Sequence, residues 1–461
     1  MIVFASLIIL ANLFISPLFA QNTLTEQEKG WLAKANRSEK NGWIVVHIEG
    51  EPFERGFQCG YLTAPEIDGF LRTLAYTGKF ETGRDWEFFV NAADSLFSGK
   101  IEPEYYWEMK GIAAGMNKAG KKVTYEEILL LNTFLDVFSY WYPHEKGKFS
   151  EPLAGCSAFV ATGESTADGK IVLGHNSWSG FEILKYANII LDIKPSKGHR
   201  IFMQSWGASL YSATDFFVTG AGIVGCETTI GGFSGFDSRG TPVFQRARKA
   251  MQYASTIDEW AKIMIEGNNG AYANSWLLGN INTNEIAQFE LGLNYHSLIK
   301  KTSGYFIGSN VADDLKILRL ETGASSEDIR TSSVARRVRW IQLMNEHKGK
   351  IDAEIGKRML GDHFDTYLNR EQPGGRTLCG HLEVEDGKIP GFTPFRASGA
   401  MDGKVVSAEM AKQFQFWAKW GASCDRVFKA DEFLTQHPQY EWMRGYLPDI
   451  PVYPWTVFTA Q

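Results

Sequence analysis

Cysteine is scarce in this 461-residue chain, with five in all, and none stands in a C-x-x-C spacing. The five, at positions 59, 156, 226, 379 and 424, are too few and too scattered for a disulfide scaffold. Without the paired spacing a structural zinc site has no support, and no cofactor is expected. An odd count leaves at least one thiol outside any pairing, and the sequence does not choose among the pairings open to the rest. Concentrated positive charge is also missing. The net charge is −6, whereas phosphate binding needs clustered Lys and Arg, so no nucleic-acid partner is expected. The one basic run, Arg336, Arg337 and Arg339, reads as the solvated face of a helix starting near Ser332 or Ser333. The hydrolase signatures G-x-S-x-G and H-E-x-x-H are absent, as are internal repeats and low-complexity tracts. Asp362-His363-Phe-Asp365 hints at a metal but reads more simply as a polar helix cap.

Only one long apolar run exists. Met1 to Ala20 carries no charge, ends in Ser16-Pro17-Leu18-Phe19-Ala20, and turns polar at Gln21. It reads as a secretory signal peptide, which predicts a secreted or periplasmic protein; the alternative is an uncleaved membrane anchor over residues 2–20.

What remains has the composition of a globular protein, 44% hydrophobic and 22% charged. Aromatic content of 13% and 46 glycines favour a sheet-rich fold with helical layers. Residues 23 to about 140 read as mostly helical, around one strand at Trp43–Ile48. Thr124-Tyr-Glu-Glu127 and Thr256-Ile-Asp-Glu259 are capping boxes, each opening a helix. Residues 143–155, interrupted by Pro and Gly, form the best linker candidate. From Cys156 onward strands dominate: a hairpin over 157–161 and 171–175, runs at 187–193, 201–204, 216–219 and 222–230, and a hairpin over 275–278 and 285–290. Helices are predicted from Thr256, over 333–347, and over 407–420. Strands first and helices between and after them make an α+β pattern with antiparallel sheets. Gly220-Ala-Gly222-Ile-Val-Gly225 matches the dinucleotide fingerprint, but a β-branched segment follows instead of a helix, so it reads as a turn.

Chemistry concentrates at Ala154-Gly155-Cys156-Ser157. A cysteine at the first position of a strand, after a Gly-ended linker, suits scission of the Gly155–Cys156 bond. The thiol attacks the Gly155 carbonyl carbon, which no side chain obstructs. Scission would leave Cys156 with a free α-amine of pKa roughly 7.7–8, able to take the thiol proton, so that nucleophile and base belong to one residue.

Four motifs in order, Gly155-Cys156-Ser157-Ala158, Gly174-His175-Asn176-Ser177-Trp178, Glu227-Thr228-Thr229-Ile230-Gly231 and Tyr272-Ala273-Asn274-Ser275-Trp276, resemble those of the phospholipase B-like (lamina ancestor) proteins. These are N-terminal-nucleophile (Ntn) hydrolases related to penicillin acyltransferase. The segment from His47 through Arg55 and Gln58 to Tyr61 is similar to an acyltransferase signature, and Thr377-Leu-Cys379-Gly-His381 to a motif near the end of both groups. The resemblance implies an αββα four-layer sandwich of antiparallel sheets and an acyl hydrolase, with an amine-directed acyltransferase and a non-catalytic secreted binding protein as alternatives. It implies Cys156 as nucleophile, Asn274 as oxyanion donor, and Thr229 or Thr228 beside the nucleophile, Thr229 being favoured. His175, Asn176 and Trp178 would orient the amine and line the pocket, with Trp276 and Thr228 as further substrate contacts. Arg55, Gln58, Cys379 and His381 are taken as structural. The expected division is a signal peptide at 1–20, a light segment at 21–155 and a heavy segment at 156–461 that stay associated. The substrate class is a small-molecule, lipid or peptide acyl compound; oligomeric state is not legible.

Overall fold

The computed structural model describes residues 23–146, 155–213 and 216–461. The leader and residues 147–154 of the linker lie outside the described residues. Among the described residues no helix is long and apolar enough to cross a membrane.

Helices dominate before Cys156, as expected. The Thr124 hydroxyl accepts from the Glu127 N–H at 3.2 Å, and the Glu127 carboxylate accepts from the Thr124 N–H at 2.9 Å. This reciprocal cap opens the helix Tyr125–Phe134, which runs on as a π-helix over Leu135–Trp141. Helices Pro52–Leu62 and Pro103–Lys118 approach so closely that a Cβ on Gly56 would lie 2.0 Å from the Glu108 carbonyl oxygen. Only glycine fits such a contact. Across the same junction Arg55 donates to Glu108 at 2.7 Å and to Glu104 at 2.8 Å, while Arg248 donates to Glu108 at 3.2 Å. Gln58 donates to the Trp31 carbonyl at 2.9 Å and accepts from the Glu49 N–H at 2.8 Å. Arg55 and Gln58 therefore fasten the N-terminal segment.

The strands in chain order begin with β1 (Asn36–Lys40) and β2 (Trp43–Gly50), then β3 (Gly155–Thr162) and β4 (Val172–Gly180), the hairpin at Cys156. Next come β5 (Ile189–Pro195), β6 (Ile201–Ser205), β7 (Phe216–Thr219) and β8 (Ile223–Thr229). They are followed by β9 (Asn274–Asn280), β10 (Glu285–Leu291), β11 (His296–Lys301) and β12 (Gly304–Gly308). Last are β13 (Phe364–Asp365), β14 (Arg370–Glu371), β15 (Ser398–Ala400), β16 (Asp402–Ser407), β17 (Gln415–Trp420) and β18 (Thr456–Thr459). A nine-stranded sheet has the order β1-β2-β5-β6-β7-β8-β9-β10-β11, and a second runs β12-β3-β4-β16-β17-β18 with β15 beside β4. The fold is mixed α+β, and among the described strands the pairs are antiparallel except one: β2 and β5 run parallel, Ile44 opposite Ile189. Residues 51–188 separate the two strands, room enough for the crossover that a parallel pair requires.

Strand alternation places the core. Ala158, Val160 and Leu173 join the main apolar cluster with Leu277 and Phe289 of the larger sheet, while β3 packs against β8 and β9. Their neighbours Phe159 and Ala161 point the other way, onto Trp340 and Leu343 of the helix Ser332–Glu346.

Three expectations are corrected, and two elements are additional. The predicted helix over 407–420 is only Ala408–Lys412, after which Phe414 takes φ = 50° and the aromatic stretch Gln415–Trp420 becomes β17. Bulky aromatic side chains suit a half-buried pleated surface, and here that preference prevails. At the helix Ile257–Ile265, Glu259 accepts from the Ser255 N–H at 2.8 Å, so the reciprocal half of the cap falls one residue earlier than Thr256. Strand β1 and the helix Val243–Tyr253 were not legible at all. Finally, Arg336 is only 2% exposed and does not belong to a solvated face. Gly220 and Gly222 do form a turn, with Gly222 at φ = 81° and its N–H on the Thr219 carbonyl at 2.9 Å, whereas Gly225 lies in β8.

Candidate active site

Cys156, 3% exposed, is the second residue of β3 rather than its first, since Gly155 already pairs with Trp178, and it lies directly across from Ser177 of β4. Its backbone N–H donates to Asn310 Oδ1 at 3.1 Å, and Asn310 Nδ2 donates to the Thr229 carbonyl at 2.7 Å. Asn310 thus links the Cys156 backbone nitrogen to β8, holding φ = 69°, a conformation that asparagine tolerates better than most residues. Thr229 is in turn the ladder partner of Asn274 on β9.

Arg336 closes the site from the helix Ser332–Glu346. It donates to the Cys156 carbonyl oxygen, to Ser157 Oγ at 3.3 Å and to Asn310 Oδ1 at 2.8 Å, and its guanidinium stacks 4.3 Å from the Trp178 ring centre. Burial brings its pKa down to about 9, opposed by the Cys156 sulfur. A cation kept dry in this way is held by carbonyl, amide and aromatic partners.

Beyond Ser177 lies a second polar array. The fully buried Lys404 donates to Ser177 Oγ at 2.7 Å and to Asp402 Oδ1 at 2.8 Å. The same carboxylate accepts from the Ser177 N–H at 2.8 Å, and its other oxygen accepts from Gln204 Nε2 at 2.8 Å. His175, the ladder partner of Ala158 and Lys404, has its pKa held well below the ordinary value, first by burial and then by the Lys404 charge. Both causes favour the neutral imidazole.

Cys156, Ser177 and Trp178 open onto a cavity walled by Leu74, Phe134, Leu135, Phe138 and Trp206, with Ser139 and Tyr272 among its polar groups. Leu135, Phe138 and Ser139 come from the π-helix, an irregularity frequent at functional sites. Such a lining suits an apolar body carrying one polar linkage.

Of the residues named from sequence, Cys156 and Trp178 therefore meet at the cavity. Asn176 does not. It pairs with Ser157, on the face opposite Cys156, where its Nδ2 donates to the carbonyls of Leu360 and Leu378, each at 3.1 Å, and its Oδ1 accepts from Trp178 Nε1 at 3.3 Å. It secures loops behind the wall. Trp276 packs edge-on against Trp260, 4.8 Å between ring centres, in the core. Asn274, Thr228 and Thr229 are buried, and neither atom of the Asn274 carboxamide nor either threonine hydroxyl hydrogen-bonds a described residue. Asn310, Arg336, Asp402 and Lys404 were missed. Only Asp402-Gly-Lys404, two charges two apart in an otherwise apolar strand, carries a sequence signal. All five cysteines are thiols. Cys379 and His381, read as structural, stand with His363 and Cys424 in a cluster of metal-ligand type.

The family model described as Phospholipase B matches residues 40–317. The chain is similar to phospholipase B-like 1 of Bos taurus, 25% identical over 53% of this chain and 52% of the relative. It is also similar to a putative phospholipase B-like 2 of Caenorhabditis elegans, 27% identical over 40% of this chain and 34% of the relative. An uncharacterized protein of Archaeoglobus fulgidus is 25% identical over 53% of this chain and 42% of its own length. The matched part is about half or less of each relative's length.

Proposed function

Because the chain belongs to the phospholipase B family, we propose that it is a secreted, self-cleaving acyl hydrolase that attacks an amide or ester bond with Cys156. One observation carries the reading: Cys156 stands at an apolar cavity with its own nitrogen already engaged by Asn310. The arrangement proposed for the two packed sheets and their outer helices is the αββα Ntn sandwich.

In the first step the Cys156 sulfur attacks the Gly155 carbonyl carbon, the amide nitrogen departs as an amine, and water opens the resulting thioester. A Cβ at Gly155 would lie 3.1 Å from the Trp178 ring, so a side chain here would crowd the attack. The freed amine keeps Asn310 Oδ1 as acceptor, which orients its lone pair toward the thiol. In the second step the amine takes the thiol proton and the sulfur adds to the substrate carbonyl. The Asn274 carboxamide, buried without a partner among the described residues, supplies Nδ2 to the oxyanion. The amine protonates the leaving group, and water releases the acid from the acyl-thioester. His175, neutral, and the Ser177–Lys404–Asp402 array hold the floor of the site rigid. An amine in place of that water would make the protein an acyltransferase, and the same cavity without turnover would make it a binding protein.

Intact-mass measurement and N-terminal sequencing of purified protein test the first step, with a heavy fragment beginning at Cys156 as the expected result. Acyl release from phospholipid esters and from N-acyl amides, with and without an added amine, tests the second. An uncut chain inert toward every acyl donor would refute the reading. Asn274→Ala is expected to lower kcat about 10²–10³-fold, since one oxyanion donor contributes that much. The check is steady-state kinetics alongside a melting curve, because a comparable loss of folding would point to a structural amide instead.

A further inference from the structure

Outside the cavity, three separate loops bring two thiols and two imidazoles together. His363 follows the helix Ala353–Leu360, Cys379 and His381 lie in an irregular segment before β15, and Cys424 follows β17. Their ligand atoms all lie within 4.8 Å of one another. His381 Nε2 is 3.1 Å from His363 Nε2 and 3.3 Å from Cys424 Sγ. Around a single tetrahedral zinc, ligand atoms stand about 3.4–3.8 Å apart, given bonds of roughly 2.1 Å to nitrogen and 2.3 Å to sulfur. The cluster is close to that size.

His381 Nδ1 lies 2.9 Å from the Glu383 carboxylate, so a neutral His381 that donates its Nδ1 proton there would present the Nε2 lone pair inward. A carboxylate behind a ligating histidine is the usual outer partner in metal sites. The loops are braced independently. The Cys379 N–H donates to the Asp362 carbonyl at 3.2 Å and the Ala400 N–H to the Gly380 carbonyl at 2.9 Å. Asn176 joins Leu360 to Leu378, the residues leading into two of these loops. Cys379 and His381 are buried, while His363 and Cys424 are half-buried, which leaves a path for an ion.

From this geometry we propose that His363, Cys379, His381 and Cys424 bind one tetrahedral transition-metal ion, of which Zn²⁺ best suits two thiolates and two imidazoles. Binding releases the two thiol protons and changes no oxidation state. Cys379 and Ala400 pack with Trp178, and a Cβ on Gly380 would lie 2.3 Å from that ring. The ion would therefore fix the loops behind the aromatic wall of the cavity. This proposal stands whether or not Cys156 is a nucleophile.

The test uses the full-length protein, purified without chelator and dialysed. Elemental analysis is expected to find about one zinc per chain. Exchange into Co²⁺ is expected to give the visible bands of a tetrahedral ion together with thiolate-to-cobalt charge transfer. Cys424→Ser and His363→Gln should each lose both signals. Glu383→Gln should keep the stoichiometry but weaken zinc in a chelator competition by at least about 10-fold, the typical effect of an outer partner. Should either ligand variant misfold, Co²⁺ titration of the unaltered apo-protein reads the site directly. Zinc-free protein that gives no charge-transfer band would overturn the proposal. So would peptides joined through Cys379 and Cys424, which would show those sulfurs spent on each other.

Discussion

A Cys156→Ala chain is expected to emerge at full length, uncut at Gly155, and to lose at least about 10³-fold in turnover of any acyl substrate the unaltered protein accepts. In the proposed mechanism the residue has a double duty, so removing it would take away the covalent intermediate and prevent the amine base from being made. The fold should tolerate the change, since alanine keeps the strand and leaves Asn310 its backbone N–H. Mass spectrometry and turnover on the same preparation provide the check. Cys156→Ser is the informative companion, because a hydroxyl attacks the Gly155 carbonyl more slowly and should leave a mixture of cut and uncut chains. Full maturation of the alanine protein would end the proposal for the self-cleaving step, and undiminished hydrolysis would end it for the second.

The largest effect on stability is expected at Lys404. Both it and Asp402 are fully buried, and their 2.8 Å pair is satisfied further by Ser177 and Gln204. Lys404→Met would leave the Asp402 charge without its cation in the interior, and breaking a buried pair on one side costs about 3–5 kcal/mol. Urea unfolding at neutral pH measures it. The double variant Lys404→Met, Asp402→Asn should regain much of the loss, because no uncompensated charge remains. If the single variant unfolds with the unaltered protein, the array adds little to stability, and its proximity to Cys156 becomes the better explanation for a buried lysine.

Local signals in the sequence carried far. Thr124 and Glu127 are a capping box both as residues and as atoms, because such a cap depends on four consecutive positions. The Cys156 hairpin was likewise readable from alternation and one glycine turn. The readings that failed depend on partners distant in the chain. Gln415–Trp420 becomes a strand because β16 and β18 flank it. Arg336 is dry because the Cys156 carbonyl and the Trp178 ring receive it from 180 and 158 positions away. The four-residue His and Cys cluster spans positions 363 to 424, and no motif of fixed spacing anticipates ligands gathered from three loops. Asn310 is the clearest case: nothing in Ser309-Asn310-Val311 announces that its amide will join the Cys156 backbone nitrogen to another strand.

Strand β2 lies between β1 and β5, so residues on both sides of the Gly155–Cys156 bond share one ladder, and Trp43 rests 5.1 Å from Trp420 near the other end of the chain. Severing that single peptide link would consequently shed nothing. The two polypeptides would elute from a native column as one particle and part only when the whole molecule melts. Heated after maturation, they would face a reunion between strangers where the newborn chain had folded with itself, so a matured sample is expected to denature without return.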